Sequence, residues 1–254
     1  MSPDFLQLPA RSVKPRERGI THVLDRGLSV AAVDGLVEVA GGSIDIVKLG
    51  WGTSLATENL RPKLARYREH GIPVVLGGSL TELAIAQDRL ERLVEWVKEL
   101  GLAHFEISDG TIALAHDRKL AMIERLARDF TVLSEVGSKD DTGAITPPYL
   151  WVEQMRQELA AGAWKVIAEG RESGTAGIFR PSGEVREGLI DEIVHEIDPA
   201  RILFDAPRKD QQVWFVRRFG PDVNLGNVPA DEVLALETLR LGLRSDTMGV
   251  PRRG

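Results

Sequence analysis

Ile44-Asp45-Ile46-Val47-Lys48-Leu49-Gly50 is a short run of β-branched and apolar side chains that stops at Gly50-Trp51-Gly52. Its apolar residues are nearly continuous rather than alternating, the pattern of a parallel strand buried on both faces. Similar runs start near Thr21, Ile72, Ala103, Thr131, Trp164, Arg201 and Asp222. Amphipathic segments lie between them, at Glu58–Glu69, Thr81–Leu100, Asp117–Arg128, Pro147–Ala161, Val185–Glu196, Asp210–Phe219 and Ala230–Arg240. Ser79-Leu80-Thr81-Glu82 reads as a capping box, and Thr146 as an N-cap before a first-turn Pro147. Gly71 and Gly101 stand where helices stop before a new strand. Eight strand–helix units without a break in composition predict one closed (β/α)₈ TIM barrel, an α/β fold, over residues 19–244. A polar extension, 1–18, precedes it and a tail, 245–254, follows; neither is expected to carry chemistry. The 254 residues suffice, since such barrels take ~250.

Composition narrows the function. Lys and Arg number 32 against 38 Asp and Glu, a formal net charge of −6, and no basic block occurs, so no nucleic-acid partner is expected. No apolar stretch approaches the ~20 residues that span a bilayer. The first residues lack the pattern of a signal peptide. The chain is therefore expected in the cytoplasm, without a membrane partner. Cysteine is absent, which removes disulfides, thiolate metal sites and cysteine nucleophiles and fits a reducing compartment. The five histidines show no zinc-binding spacing, and no Gly-x-Ser-x-Gly elbow or glycine-rich nucleotide fingerprint occurs.

In (β/α)₈ barrels catalytic groups sit at the C-terminal ends of strands. Here those positions hold Asp25-Arg26-Gly27 on strand one and Lys48 with Gly50-Trp51-Gly52-Thr53 on strand two. Strand four supplies Glu106, Ser108 and Asp109; strand five Glu135 and Lys139; strand six Glu169, Arg171, Glu172 and Ser173. Strand seven supplies Asp205, Arg208 and Lys209, and strand eight Asn224 and Asn227. A charge inside an apolar strand is costly unless paired or functional. Any one of these has an ordinary explanation as a salt bridge; so many together predict an enzyme. Asp25, Glu135, Glu169 and Asp205 are candidate ligands for Mg²⁺, a hard ion that takes oxygen. Arg171, Ser173, Gly174, Ser108, Asn224, Arg208 and Lys209 are candidates for an anionic, phosphorylated small substrate. Within Arg171–Gly177, small residues allow backbone N–H groups to face an oxyanion. Of the tryptophans, Trp51 is the one placed to line a pocket. Association into a homo-oligomer is expected.

Val47-Lys48-Leu49-Gly50-Trp51-Gly52-Thr53, Glu106-Ile107-Ser108-Asp109-Gly110-Thr111-Ile112, Glu135-Val136-Gly137, Arg171-Glu172-Ser173-Gly174 and Val223-Asn224-Leu225-Gly226-Asn227 resemble the phosphosulfolactate synthase family from about Gly19 to Thr247. The resemblance implies a (β/α)₈ barrel, Mg²⁺ dependence and addition of sulfite to phosphoenolpyruvate, a step in one route to coenzyme M. In that reaction sulfite attacks the methylene carbon, charge moves into the carboxylate as an enediolate, and an acid protonates the adjacent carbon. Lys139 is the first choice for the acid and Lys48 the next, with Glu106 beside them as a catalytic candidate. The chain departs from the family in Arg26 for lysine, Ser138-Lys139 for a lysine pair, Gly170 for alanine, Asp205 for glutamate and Arg208 for glutamine. The last two are expected to widen the mouth and make it more attractive to an anion. Two alternatives stay open: a different nucleophile such as a thiol, or a non-catalytic barrel acting by association, as plant stress-tolerance relatives suggest. The intact strand-end charges disfavour the second.

Overall fold

The computed structural model describes residues 5–137 and 146–249. Eight parallel strands, β1 (Thr21–Asp25), β2 (Ile46–Leu49), β3 (Val74–Leu76), β4 (His104–Ile107), β5 (Thr131–Val136), β6 (Lys165–Ala168), β7 (Ile202–Asp205) and β8 (Leu225–Pro229), form one sheet in the order β3-β2-β1-β8-β7-β6-β5-β4. β3 and β4 come side by side, which rounds the sheet into the (β/α)₈ barrel, although among the described residues no backbone ladder joins them. Around it lie α1 (Val30–Ala40), α2 (Thr53–Ala56), α3 (Leu60–Glu69), α4 (Gly78–Ala86), α5 (Leu90–Glu99), α6 (His116–Leu126), α7 (Pro148–Ala160), α8 (Glu187–Glu196), α9 (Lys209–Phe219) and α10 (Val233–Arg240). Among the described residues no helix is long and apolar enough to cross a membrane.

Strand pleating explains how apolar runs also deliver charge. Ile20, Ile46, Val75, Leu133, Ile167 and Leu203 form a compact plug separate from the main core between strands and helices. Successive side chains along a strand alternate in direction, so a residue two further on points the same way. Two residues beyond Ile46, Leu133, Ile167 and Leu203 stand Lys48, Glu135, Glu169 and Asp205, all buried. The plug is thus the floor on which the mouth is built.

The opposite end of the barrel is closed by cations. Buried Arg240 donates to the carbonyls of Val223 (2.6 Å) and Ile20 (3.2 Å). Arg11, ahead of β1, pairs with Asp222 at 2.6 Å and Glu237 at 2.9 Å, and Arg16 with Asp45 at 3.0 Å, so this part of the extension is tied to the base. Asn224 belongs here too. β8 starts at Leu225, and the Asn224 amide accepts from the Ile20 N–H at 3.1 Å and donates to the Ile202 carbonyl at 2.9 Å. The expectation that Asn224 binds substrate is therefore corrected: it braces the barrel floor on the side away from the mouth.

Several helix boundaries also differ from expectation. The segment Thr81–Leu100 is two helices, broken at Asp88, whose φ of +54° is one that a short polar side chain tolerates. Ser79 lies inside α4, whose N-cap is Gly77, and Glu82 turns instead to the hydroxyls of Ser108 and Thr111. Pro147, not Thr146, is the cap of α7. Gly71 and Gly101 end their helices in the left-handed region, at φ +65° and +69°.

Asp25 is a further correction. Leu24 faces the mouth, so Asp25 points out to the helix layer. There its carboxylate meets Lys63 at 2.6 Å, accepts from the Tyr67 hydroxyl at 2.9 Å, and accepts the N–H groups of Gly27 and Leu28 at 2.8 and 2.7 Å. It clamps β1 to α3 and is filled by protein donors, which leaves it no role as a metal ligand. Lys63→Met should accordingly lower unfolding free energy by about 3–5 kcal/mol, because it leaves a buried carboxylate without its cation. Urea unfolding of the purified variant checks this; a loss below about 1 kcal/mol would show the pair to be structurally minor.

Candidate active site

At the C-terminal strand ends a cavity of about 230 Å³ opens among Lys48, Glu106, Glu135, Glu169, Arg171 and Asn227. Lys48 is one of its two lining cations. Its ammonium is 3.4 Å from Glu106 Oε1 and 3.2 Å from Glu135 Oε1. Burial works against this charge, but Glu106, Glu135, Asp205 and Glu169 together outweigh it and push the lysine above its ordinary range. Beneath, burial reinforced by Lys48 holds His22 well below the usual imidazole range, so it is a neutral core residue.

Glu106 binds the site to the fold. Besides Lys48, it accepts the N–H of Gly78, in the first turn of α4, at 2.5 Å, and its own carbonyl accepts from the Thr81 hydroxyl at 2.7 Å. A helix N-terminus is favourable for a carboxylate. These contacts stitch β4 to the helix that follows β3, across the side of the barrel that lacks a ladder. The fit is close: a Cβ on Gly78 would lie 2.5 Å from that of Ser108.

The β6 end supplies Glu169 and Arg171. Glu169 accepts the Arg171 N–H at 3.0 Å, and Arg171 holds a left-handed backbone, φ +55°, at the cavity wall. The chain then turns back so closely that a Cβ on Gly177 would fall 1.9 Å from the Glu169 carbonyl oxygen, so glycine is required there. Ser173 and Gly174 lie in this loop outside the cavity lining. Ser173 shares a hydrogen bond with Thr175 at 2.8 Å, and the Gly174 carbonyl accepts from the buried Gln211 amide at 2.8 Å.

The remaining candidates are placed as follows. Ser108 is buried beside the cavity with its hydroxyl donating to Glu82, so it braces α4 rather than facing the opening. Asp205 lies fully buried below the lining, accepting the N–H of Gly170 at 3.0 Å and the amide of Asn227 at 2.7 Å. Arg208 turns outward, its guanidinium against Gly183 and 3.4 Å from Asp210, and Lys209 pairs with Asp246 at 2.9 Å. The expectation that Asp205 and Arg208 jointly reshape the mouth is thereby corrected, since neither lines it in this arrangement. Lys139 lies outside the described residues.

Two contributors were not assigned a role from sequence. Lys119, buried on α6, reaches Asp109 at 2.8 Å, the Glu135 carbonyl at 2.5 Å and Glu158 at 2.9 Å, fixing the end of β5. Its position among other charged residues on a helix gives no signal of this. Asn227 carried a signal, as the second asparagine of strand eight. It lines the cavity with φ +51°, and its buried Oδ1 has no hydrogen-bond partner among the described residues.

Among the described residues no group of three or more His, Cys, Asp or Glu side chains is placed to hold a metal ion. Glu135 and Glu169 nevertheless share one cavity, and the carboxylates around it outnumber its cations, Lys48 and Arg171. Such a set suits an open site for a hard divalent ion that keeps water and takes further oxygens from a ligand. Without a cation this cavity would repel a polyanion.

The (2R)-phospho-3-sulfolactate synthase family description matches residues 9–246. Phosphosulfolactate synthase of Bacillus subtilis is 42% identical over 247 residues, 96% of this chain and 98% of that protein. The protein of the same name from Methanothermobacter thermautotrophicus is 41% identical over 251 residues, 97% of each. Arabidopsis thaliana Protein HEAT-STRESS-ASSOCIATED 32 is more distant, 21% identical over 91% of this chain and 88% of its own. Among solved structures, 3-hexulose-6-phosphate synthase from Salmonella typhimurium superposes with a TM-score of 0.53 at 13% identity, covering 90% of this chain and 93% of its own, a likeness of fold alone. The barrel ends in a charged cavity, and sequence likeness runs nearly its whole length, so the chain belongs to the phosphosulfolactate synthase family and is an enzyme of that type.

Proposed function

We propose that this enzyme joins sulfite to phosphoenolpyruvate in the presence of Mg²⁺, giving phosphosulfolactate, and does so in the cytoplasm. The observation that carries the reading is the Lys48–Glu106–Glu135 cluster inside the cavity, in a chain that shares about two residues in five with phosphosulfolactate synthases. The lack of cysteine is in keeping with the location.

A carbon–sulfur bond forms at the methylene carbon as the C=C electron pair moves towards the substrate carboxylate. A proton then reaches the adjacent carbon, and the phosphate ester stays intact. Lys48 supplies fixed positive charge where the enediolate develops. Lys139 is the first candidate for delivering the proton, and Lys48 the next. Arg171, forked and weakly hydrated, binds the phosphate. Glu135 and Glu169 would hold the divalent ion, which when bound offsets substrate charge and polarises the carboxylate. A thiol in place of sulfite is the alternative within the same chemistry; the intact buried charges speak against a purely associative role.

EDTA should abolish turnover of phosphoenolpyruvate with sulfite, and added Mg²⁺ should restore it. Full turnover in metal-free buffer would remove the ion from the mechanism. Arg171→Lys should raise the KM for phosphoenolpyruvate by roughly 10–150-fold, the equivalent of about 1.5–3 kcal/mol for a charged hydrogen bond, with little change in Tm. A lowered Tm with unaltered KM would instead make Arg171 a brace for the rim.

A further inference from the structure

Among the described residues four non-glycine positions hold a left-handed backbone, and three of them, Trp51, Arg171 and Asn227, line the one cavity. Asparagine adopts that conformation readily, but for a bulky side chain it is a true outlier. Strain of this kind clusters at functional sites, where the surrounding structure enforces it. Trp51 is therefore the position to explain.

The turn does not require a tryptophan. Gly50-Trp51-Gly52 leads into α2, and its hydrogen bonds run from Thr53 N–H to the Gly50 carbonyl at 3.0 Å and from Leu55 N–H to the Gly52 carbonyl at 2.9 Å. None involves residue 51, and glycine would take φ +56° without strain. Packing does not require it either, since Trp51 is 51% exposed. What the ring does is line the cavity with the Arg26 guanidinium 5.7 Å from its centroid, Arg26 itself lining the adjoining pocket beside Gly27 and Thr53. Arg26 follows β1 and Trp51 follows β2, neighbours paired at Asp25 and Leu49, so the stack bridges two adjacent strand ends. Among the described residues no carboxylate lies within ion-pair distance of Arg26, whereas Lys48 deeper in the cavity is already shared by two.

We propose that Trp51 and Arg26 form a second anion subsite at the rim, which binds the small oxyanion nucleophile while Arg171 and Lys48 engage the phosphorylated acceptor. This rests on the reaction proposed above, in which two anions must meet. An aromatic face orients a guanidinium without neutralising it, so its donors stay available for an oxyanion. The left-handed backbone of Trp51 is then retained for binding, at the expense of stability.

The experiment uses the full-length enzyme with Mg²⁺ and compares wild type, Arg26→Gln, Arg26→Lys, Trp51→Gly and Trp51→Phe. Arg26→Gln and Trp51→Gly should raise the KM for sulfite about tenfold or more while leaving that for phosphoenolpyruvate within about twofold. Arg26→Lys, which keeps the charge, should recover most of the loss. The Tm of Trp51→Gly should be equal to or above wild type, an outcome that a structural tryptophan would not give. Sulfite titration should quench wild-type tryptophan fluorescence, and the response should disappear in Trp51→Gly and persist in part in Trp51→Phe only if another tryptophan reports. A sulfite KM within twofold of wild type in both Arg26→Gln and Trp51→Gly would overturn the subsite and leave the reaction standing. Quenching that depends on Trp51 without any product would overturn the reaction and leave the subsite standing.

Discussion

The Glu106 carboxylate ties the cavity to the wall of the barrel. It neutralises Lys48, caps the first turn of α4, and belongs to a strand whose next neighbour in the barrel offers no ladder of hydrogen bonds. A buried charge of either sign needs partners, and removing one partner from such a pair costs about 3–5 kcal/mol. Here the partners of Glu106 come from β2 and α4, and Lys48 is shared in turn with Glu135 of β5. The geometry of the cavity and the closure of the barrel therefore share a common set of contacts.

That arrangement explains which parts of the molecule were legible in the sequence. Continuous apolar runs and glycine stops were enough for the barrel, and a lysine inside Ile46–Leu49 was enough to mark the mouth, because no apolar environment accepts it alone. Strand parity was not legible. Asp25 and Leu24 are adjacent, and a strand assigned one residue out of step exchanges inward for outward. Asn224 was misplaced for a related reason: β8 begins after it, so the residue stands before the strand rather than at its far end. Ser108 and Glu82, or Lys119 and Asp109, find each other only through the tertiary fold.

The departures from the family pattern fall at different depths in the structure. Asp205 and Arg208 are neighbours in sequence and looked like a coordinated change at one strand end. In the structure the first is sealed beneath the cavity by Gly170 and Asn227, and the second faces Asp210 outside. Arg26, the less conspicuous departure, has its guanidinium over the ring of Trp51, a residue of the cavity wall.

The open seam between β3 and β4 has a mechanical meaning. Among the described residues the ladder runs from β3 round to β4 without joining them, and the contacts of Glu106 and Thr81 cross the gap by tying β4 to α4. Any ligand that draws Lys48 away from Glu106, or adds charge beside it, acts on those contacts. The wall of the barrel and the electrostatics of the cavity thus meet in one carboxylate.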